Sequence, residues 1–366
     1  MEGKVIIAGG GTGGHLFPAL ALAEEFGRRG WEVIFVGGGR RWEREMISSK
    51  GWEYRVIPSS PWKGKGIGGK FLFLSRLPLS TLKAMALLRS LRPQLVLGVG
   101  GYSSSAVILA SFLLGIRRAV QEQNLLPGLT NRLSLPFVHR IFVSFAETAD
   151  LLSQPEKVIF TGNPIREELL HSFRRTRRQR RFTLLVLGGS QGSRAINEAI
   201  IEALPFMEEI KGRMRVIHQT GEGDLPWVRR GYEERGFDAQ IVSFIEDIGR
   251  FYALAHLVVA RAGGGTVAEL CACGRASILI PYPYASDDHQ RRNAEALLER
   301  GAARMILQGE LSGERLAQEI KALWRDRVML REMERRAKEL ARPQAASFIV
   351  RECLRMIEGD RCIGAG

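Results

Sequence analysis

Residues 5–15 read Val-Ile-Ile-Ala-Gly-Gly-Gly-Thr-Gly-Gly-His, and an apolar helical stretch, predicted from about Phe17 to Arg29, follows at once. This order predicts a β-strand, a glycine loop and an α-helix. Such a loop brings exposed backbone N–H groups and the positive end of a helix dipole to one place, which suits a phosphate group. The opening stretch therefore predicts an α/β domain with a loop for a diphosphate-containing ligand.

The same glycines match the G-x-G-x-x-G pattern of dinucleotide-binding domains, starting at Gly9. Those domains also place an acid at the end of the second strand, where it binds a ribose hydroxyl. Here the strand predicted at 32–36 runs into Gly-Gly-Gly and then Arg40 and Arg41. Because arginines suit a 2′-phosphate, an NADP-dependent enzyme remains an alternative.

The strand, glycine loop and helix recur at residues 182–193, and a third glycine loop follows the strand predicted at 257–260. A chain of 366 residues also exceeds what one hydrophobic core usually serves. The pattern predicts an α/β fold of two Rossmann-like domains facing a cleft. We place the domains at 1–164 and 165–342, and we expect a final helical segment, 343–366, to pack back on the first domain.

The chain carries 53 Lys and Arg against 39 Asp and Glu, a net charge of +14. This excess favours an acidic partner, which can be a nucleic acid, an anionic membrane or a phosphorylated substrate. An arginine run at 174–181 suggests nucleic acid, but no nucleic-acid-binding motif accompanies it. We therefore interpret the run as a solvated connector and expect no nucleic-acid partner.

The four cysteines form no C-x-x-C pair and have no histidine at zinc spacing, so the sequence predicts neither a metal site nor a disulfide framework. This usage fits a reducing cytosol. No basic-then-apolar leader opens the chain, and the longest apolar run, 106–116, is shorter than the ~20 residues of a membrane crossing.

Residues 62–79 interrupt the alternation of strands and helices. Trp62 and several lysines surround a glycine-rich turn, and the apolar stretch 71–79 follows. An apolar strip edged with lysines and an interfacial tryptophan can lie on an anionic bilayer. A core helix after a solvated basic loop explains the same residues equally well.

Polar side chains follow the strands predicted near 95–99 and 119–122. In open parallel sheets ligands bind beyond the carboxyl ends of the strands, so Tyr102, Glu122, Asn124 and Asn131 are expected in one crevice with His15. Each can instead be a turn residue or a helix cap. For His15, immediately after a phosphate-type loop, we favour a catalytic role over a role as a cap or core residue.

The third glycine loop runs from Gly263 to Glu269. Thr266 and Glu269 have the spacing of a capping box, which is a purely structural role. The competing interpretation is a helix N-terminus that faces a diphosphate while Glu269 accepts hydrogen bonds from ribose hydroxyls. The polar residues at 287–293, after the next strand, suit a sugar with several hydroxyls.

Six motifs in one order extend over nearly the whole chain. They are Gly-Gly-Thr-Gly-Gly-His at 10–15, Gly-Gly-Tyr at 100–102, Glu-Gln-Asn at 122–124, Gly-Asn-Pro-Ile-Arg at 162–166, Gly-Gly-Ser-Gln-Gly at 188–192 and the loop at 263–269. Together they resemble the MurG family of peptidoglycan N-acetylglucosaminyltransferases. The glycine loops alone are shared with other glycosyltransferases of the two-Rossmann GT-B fold.

The resemblance implies an inverting transfer of N-acetylglucosamine from UDP-N-acetylglucosamine to the C4 hydroxyl of undecaprenyl-pyrophosphoryl-N-acetylmuramyl-pentapeptide (lipid I), which gives lipid II. It implies no cofactor and no metal, and a peripheral position at the cytoplasmic face of the bacterial membrane. The strip from Trp62 to Leu79 then becomes the surface that contacts anionic lipid. Other proteins of cell-wall synthesis are further candidate partners.

The resemblance also implies roles by motif position. His15 is the expected general base toward the acceptor hydroxyl, since imidazole titrates near neutral pH, and Glu122 is the second candidate. The expected donor-binding residues are Thr12, Gly13, Gly14, Asn124, Arg166, Ser190, Ile245, Gly264, Gly265, Thr266, Val267, Ala268, Glu269 and Gln290. The expected acceptor-binding residues are Gly11, Tyr102, Ser103 and Asn131, with the acceptor diphosphate at the first glycine loop.

Two positions depart from the family pattern on the acceptor side. Gln121 stands where many relatives have histidine, and three serines at 103–105 stand where a Gly-Pro pair is frequent. Two other functions stay open from the sequence. One is a different GT-B glycosyltransferase, for example one acting on a diacylglycerol, and the other is a nucleotide- or nucleic-acid-binding protein without transfer activity.

Overall fold

The structure, a computed structural model, describes residues 3–57, 67–178, 180–189 and 191–361, and it describes no side chains at 67–76, 102 and 359–361. The chain divides into two compact units. Unit 2 spans Glu167–Arg342, and unit 1 comprises the residues before and after it.

In its described part, unit 1 contains a parallel sheet of seven strands in the order β3-β2-β1-β4-β5-β6-β7. The strands are β1 Lys4–Ala8, β2 Glu32–Gly37, β3 Glu53–Val56, β4 Leu95–Gly98, β5 Arg117–Glu122, β6 Arg140–Val143 and β7 Val158–Phe160. The helices that cover it include α1 Gly13–Arg28, α2 Arg41–Ser49, α3 Ile67–Leu91, α4 Tyr102–Leu113 and α5 Leu129–Ser134. The order reverses between β1 and β4, which is the switch point where doubly wound sheets bind ligands.

Unit 2 repeats this plan with a parallel sheet of six strands in the order β10-β9-β8-β11-β12-β13. The strands are β8 Phe182–Leu187, β9 Met214–Gln219, β10 Ala239–Val242, β11 Leu257–Ala260, β12 Ser277–Leu279 and β13 Ala303–Met305. Its helices are α6 Glu167–Arg175, α7 Arg194–Ala203, α8 Leu225–Glu234, α9 Ile248–Leu254, α10 Gly264–Cys273, α11 His289–Glu299, α12 Gly313–Arg325 and α13 Arg327–Glu339. The last helix, α14 Ala345–Arg361, belongs to unit 1.

The central strands β1, β2 and β4 of unit 1 are buried on both faces, which is why their residues are mostly apolar rather than alternating. Val5 and Ile7 of β1 join one core cluster with residues of α1 and α14. Ile6 and Ala8 join the other, with residues of α3 and α4. Helix α14 packs on α1, and Arg29 donates to the Ser347 hydroxyl over 3.1 Å.

The predicted fold class of two Rossmann-like units is confirmed by these two sheets. One predicted helix start is wrong. The sequence places the first helix at about Phe17, but α1 begins at Gly13, after an extended Thr12. The N–H groups of His15 and Leu16 both donate to the Thr12 carbonyl, so the last residues of the glycine motif form the first turn of the helix. Among the described helices, none has both the length and the apolar character that a bilayer crossing requires.

Candidate active site

The first glycine loop, residues 9–11, packs backbone to backbone against the loop after β4. A Cβ atom at Gly9 would stand 2.4 Å from the carbonyl oxygen of Gly100, and one at Gly101 would stand 2.5 Å from that of Gly10. Both glycines also have positive φ, +146° and +86°. Only glycine fits at these positions, because a side chain would collide and the backbone would be strained. The two loops therefore form one rigid surface at the switch point of unit 1.

His15 lies on the first turn of α1 and is half-buried against this surface. Its Nδ1 is 3.2 Å from the Thr12 hydroxyl oxygen. A Cβ atom at Gly100 would stand 2.9 Å from His15 Nε2 and 3.8 Å from Gln123 Oε1, so the imidazole and this amide lie around the same glycine. A partly exposed imidazole with a defined orientation is the group that general base catalysis needs.

Gly11, expected to bind the acceptor, is held by the protein's own side chains. The buried carboxylate of Glu43 accepts a hydrogen bond from the Gly11 N–H. The Arg40 guanidinium donates to the Gly11 carbonyl over 2.6 Å. The sequence reasoning missed Glu43, because its partner lies 32 positions away and no local pattern pairs the two.

Glu122, the second candidate base, is 1% exposed. Its Oε2 accepts from the Gly128 N–H over 2.9 Å and from Asn131 Nδ2 over 2.8 Å, and its Oε1 accepts from the Asn124 N–H over 3.0 Å. Burial raises the pKa of this carboxyl, and these hydrogen bonds oppose the shift. The carboxylate thus joins the two ends of the 122–131 loop and fixes its shape.

The acceptor-side departure at Gln121 proves to be internal. Gln121 is fully buried, and its Nε2 donates to Asn163 Oδ1 over 3.1 Å. Its Oε1 accepts from Gln123 Nε2, which also donates to the Val99 carbonyl over 2.8 Å. These amides join the carboxyl ends of β4 and β5 to the loop after β7. Gln121 in place of the family's histidine therefore changes the buried hydrogen bonds that hold the site residues, and not a contact at the exposed surface.

The other predicted residues of unit 1 lie at the same sheet edge. Ser103 is buried on α4 and Asn131 is buried on α5, where it supports Glu122. The side chain of Tyr102 lies outside the described residues. Arg166 stacks on Phe17 of α1, with its guanidinium carbon 4.5 Å from the ring centroid.

In unit 2 the third glycine loop forms the start of α10. The N-cap is Gly263 in an extended conformation, and the helix begins at Gly264. Thr266 therefore lies inside the first turn, and the capping-box interpretation of Thr266 and Glu269 is wrong. The Val267 N–H bonds the Gly263 carbonyl over 3.0 Å, which leaves the earlier N–H groups of the turn directed out of the helix end.

Three further residues predicted to bind the UDP-sugar, namely Glu269, Gln290 and Ile245, form hydrogen bonds to neighbouring groups of unit 2. Glu269 accepts from the Tyr252 hydroxyl over 3.1 Å. Gln290 Oε1 accepts from the Tyr282 N–H over 3.0 Å, and Gln219 Oε1 accepts from the Ile245 N–H over 2.9 Å. Gly265 and Ala268 lie on α10 with the residues named above, and Ser190 lies outside the described residues.

Arg261, at the end of β11, is a cation that the sequence reasoning did not select. It donates to four neutral oxygens, namely Ile280 O, Pro281 O, Ser193 Oγ and Gln308 Oε1, over 2.7–3.2 Å. Burial lowers its pKa to about 10. In the sequence it stands two residues before Gly263, the N-cap of α10. A lone arginine just before a glycine loop is the pattern that could have pointed to it.

The arginine run at 174–181 is anchored within unit 2. Arg178 pairs with Glu334, and Arg181 with Asp238 over 2.6 Å. In the described part of the chain, no group of three or more His, Cys, Asp or Glu is arranged to hold a metal ion.

Comparison with known proteins gives one consistent family. The glycosyltransferase family 28 N-terminal domain matches residues 5–143, and the family 28 C-terminal domain matches residues 183–349. The UDP-N-acetylglucosamine--N-acetylmuramyl-(pentapeptide) pyrophosphoryl-undecaprenol N-acetylglucosamine transferase of Citrifermentans bemidjiense is 46% identical over 95% of this chain and 98% of its own length. The Syntrophus aciditrophicus enzyme of the same name is 44% identical over 98% and 99%.

Among solved structures, Acinetobacter baumannii MurG superposes with a TM-score of 0.78 at 28% identity, covering 96% of this chain and 99% of that one. The two parallel sheets, the glycine loops at their switch points and these full-length matches agree. The chain belongs to glycosyltransferase family 28, and within it to the family of MurG N-acetylglucosamine transferases.

Proposed function

We infer that this chain transfers N-acetylglucosamine from UDP-N-acetylglucosamine to the C4 hydroxyl of the muramyl sugar in lipid I. The observation that carries this inference is identity of 42–46% to transferases of that name over nearly the full chain. Two features support it: an oriented imidazole in unit 1, and in unit 2 a helix N-terminus that the half-buried Arg261 closely precedes in the sequence.

The donor is proposed to bind at α10 of unit 2. Its diphosphate meets the first-turn N–H groups of Gly264, Gly265 and Thr266, while Arg261 adds a positive charge. Glu269 is proposed to accept from the ribose hydroxyls, and Gln290 to contact the sugar. The full proposed donor set is Thr12, Gly13, Gly14, Asn124, Arg166, Ser190, Ile245, Gly264, Gly265, Thr266, Val267, Ala268, Glu269 and Gln290.

The chemical step is proposed to proceed with inversion. His15 removes the proton of the acceptor C4 hydroxyl. The oxygen of that hydroxyl attacks the anomeric carbon of N-acetylglucosamine on the face opposite UDP. The bond from that carbon to the UDP oxygen breaks, and the electron pair leaves with the diphosphate. The α10 N-terminus and Arg261 stabilise this developing negative charge, a task that other transferases give to a metal ion.

Glu122 is proposed to position the 122–131 loop rather than to act as the base. Its carboxylate already accepts hydrogen bonds from three residues of that loop and is almost entirely buried. A base must reach the proton it removes. His15 is half-buried and retains that access.

The membrane contact is proposed to lie on α3 and the adjoining α4, at the cytoplasmic face. Residues 62–66 of the predicted strip, and the side chains of 67–76, lie outside the described residues. Beyond them, Leu79 and Leu82 of α3 are 59% and 63% exposed, and Phe112 and Leu113 are exposed on α4, which packs beside it. Exposed apolar side chains on two neighbouring helices suit shallow insertion into a bilayer that holds the acceptor lipid.

The test is transfer of labelled N-acetylglucosamine from UDP to a short-chain analogue of the muramyl-pentapeptide lipid, with EDTA present. Diacylglycerol serves as the parallel acceptor. Labelled muramyl lipid is the expected product. Labelling of diacylglycerol alone would assign the chain to a different GT-B activity, and labelling of neither would favour a binding protein without transfer activity.

A further inference from the structure

The side chain of Glu43 occupies the place where the first glycine loop would hold an anion. Glu43 lies on the first turn of α2 and is 1% exposed. One carboxylate oxygen accepts from the Gly11 N–H, and the other accepts from the Tyr54 hydroxyl over 3.2 Å. A negative charge of the protein itself therefore lies against the backbone N–H that a phosphate oxygen would use.

The loop is built around this carboxylate. A Cβ atom at Gly10 would stand 3.0 Å from Glu43 Oε1 and 3.1 Å from Oε2, and Gly10 has a φ of +139°. Glycine at this position leaves the room that the carboxylate fills. The Tyr54 hydroxyl, which donates to Glu43, also accepts from the Gly39 N–H over 2.9 Å. The carboxylate thus joins the loop after β1 to Tyr54 of β3, and the Tyr54 hydroxyl continues the link to Gly39 after β2.

Arg40, which the sequence offered as a partner for a 2′-phosphate, also bonds the first glycine loop. Arg40 Nη1 donates to the Gly11 carbonyl over 2.6 Å. Both backbone polar groups of Gly11 are therefore bonded by side chains near the start of α2, and the loop differs from a dinucleotide-binding loop although its sequence matches the G-x-G-x-x-G pattern.

We propose that Glu43 is a specificity-determining residue that excludes phosphate groups from the first glycine loop at Gly11. A phosphate at this N–H would have to displace the carboxylate or lie beside it, and like charges in a partly buried site repel strongly. The exclusion applies to the Gly11 N–H and leaves Thr12, Gly13 and Gly14 available to the donor. The proposal concerns unit 1 alone, and it implies that any acceptor diphosphate is bound by other groups than Gly11 N–H.

The test uses the full chain labelled with [15N]glycine and titrated with inorganic pyrophosphate, following the amide resonance of Gly11. In the wild-type protein this resonance is expected to show no saturable shift. Glu43→Gln keeps an oxygen for the Gly11 N–H and removes the charge, so its Gly11 resonance is expected to saturate at a pyrophosphate concentration at least tenfold lower than any wild-type effect.

Glu45→Gln is the matched control, because it removes the same charge from an exposed position on the same helix, where Glu45 pairs with Arg41. It is expected to behave as the wild type. Equal saturation of Gly11 in the wild-type and Glu43→Gln proteins would overturn the proposal, as would an effect of Glu45→Gln equal to that of Glu43→Gln.

If Glu43→Gln does not fold, the wild-type titration decides, since a saturable Gly11 shift in that protein contradicts the proposal and its absence supports it. Failure of the proposed transferase function would appear separately, as a lack of response of the Gly264 and Gly265 resonances to UDP-N-acetylglucosamine.

Discussion

At the scale of single residues, the two candidate bases differ in what surrounds them. His15 stands on the first helical turn with one nitrogen near Thr12 and the other near Gly100. Glu122 is enclosed by donors from its own loop. The sequence selected His15 because it follows a glycine loop and Glu122 because it ends a strand. It could not decide between them, because their surroundings depend on residues distant in the sequence, such as Gly100 for His15 and Asn131 for Glu122.

Replacing His15 with alanine is expected to leave the affinity for UDP-N-acetylglucosamine within about twofold of wild type. Turnover is expected to fall by about 10²- to 10⁴-fold, the usual contribution of a general base. Calorimetric titration with the donor and steady-state kcat measure the two effects. A normal kcat would remove His15 from the mechanism.

Glu122→Gln provides the contrast within the same unit. It keeps an oxygen for the loop donors and alters the hydrogen bonding of a buried group, so we expect a loss of about 1–3 kcal/mol of stability. Because His15 is the proposed base, kcat of Glu122→Gln should stay within about tenfold of wild type. A fall in kcat as large as that of His15→Ala would identify Glu122 as the base.

At the scale of elements, strand positions followed closely from β-branched apolar runs, whereas helix starts did not. The sequence placed the first helix too late, and one of the two interpretations left open for Thr266 made it part of a capping box. In both cases the glycines themselves enter the helix, at Gly13 and at Gly264. Glycine has a low intrinsic helix propensity, so a prediction from the sequence assigns these glycines to the loop and starts the helix after them.

Gly101→Ala tests the packing of the loops in unit 1. A Cβ atom there would stand 2.5 Å from the Gly10 carbonyl oxygen, in a backbone with φ of +86°. Gly115→Ala is the matched control, because Gly115 also has positive φ, +68°, but no atom within 4 Å of the added carbon. Backbone strain of about 1–3 kcal/mol is expected in both variants.

The collision should add a further loss of stability in Gly101→Ala alone. Denaturant unfolding of the two variants measures the difference. Equal destabilisation would mean that the loops do not pack as described.

Strand β9 carries a buried histidine that gives unit 2 a pH dependence. His218 lies between Tyr232 and Asn197, both 3.0 Å from its ring nitrogens, and burial lowers its pKa to about 3. Because the unfolded chain binds the proton near pH 6.5, this stabilisation is complete above that pH and is lost as the pH falls toward 3. His256, with a pKa lowered to about 4 by burial, acts in the same direction.

We expect the free energy of unfolding to fall by up to about 1.4 kcal/mol per pH unit for each such histidine over this interval. His218→Leu should reduce that slope, whereas the same change at the exposed His171 should not. Chemical denaturation at several pH values provides the measurement. An unchanged slope in His218→Leu would contradict the assignment.

At the scale of the whole molecule, the repeated strand and glycine loop was sufficient to predict two Rossmann-like units, because each repeat carries its own local pattern. For the site, the sequence motifs supplied candidate residues, whose roles stay predictions. Arg261 and Glu43 were missed, since the first bonds oxygens from three separate segments and the second bonds a loop 32 residues away. Such residues can be identified only from the folded structure.

The proposed membrane association is tested on the whole chain, and it is expected to depend on α3. Replacing Leu79 and Leu82 with glutamate should weaken binding to vesicles of anionic phospholipid by at least tenfold, because apolar contact is lost and negative charge is added. Cosedimentation with the vesicles measures this. Val328→Glu, at a 73% exposed position of unit 2, is the control and should bind as wild type. Equal binding by all three proteins would place the lipid contact elsewhere.

The most direct measurement is the structure of the product formed from UDP-N-acetylglucosamine and the muramyl-pentapeptide lipid analogue, determined by proton NMR of the isolated disaccharide. The account predicts a β linkage from the anomeric carbon of N-acetylglucosamine to the C4 oxygen of the muramyl sugar, since a single base-assisted displacement inverts the α configuration of the donor. An α linkage, a bond to another hydroxyl, or no disaccharide at all would contradict it.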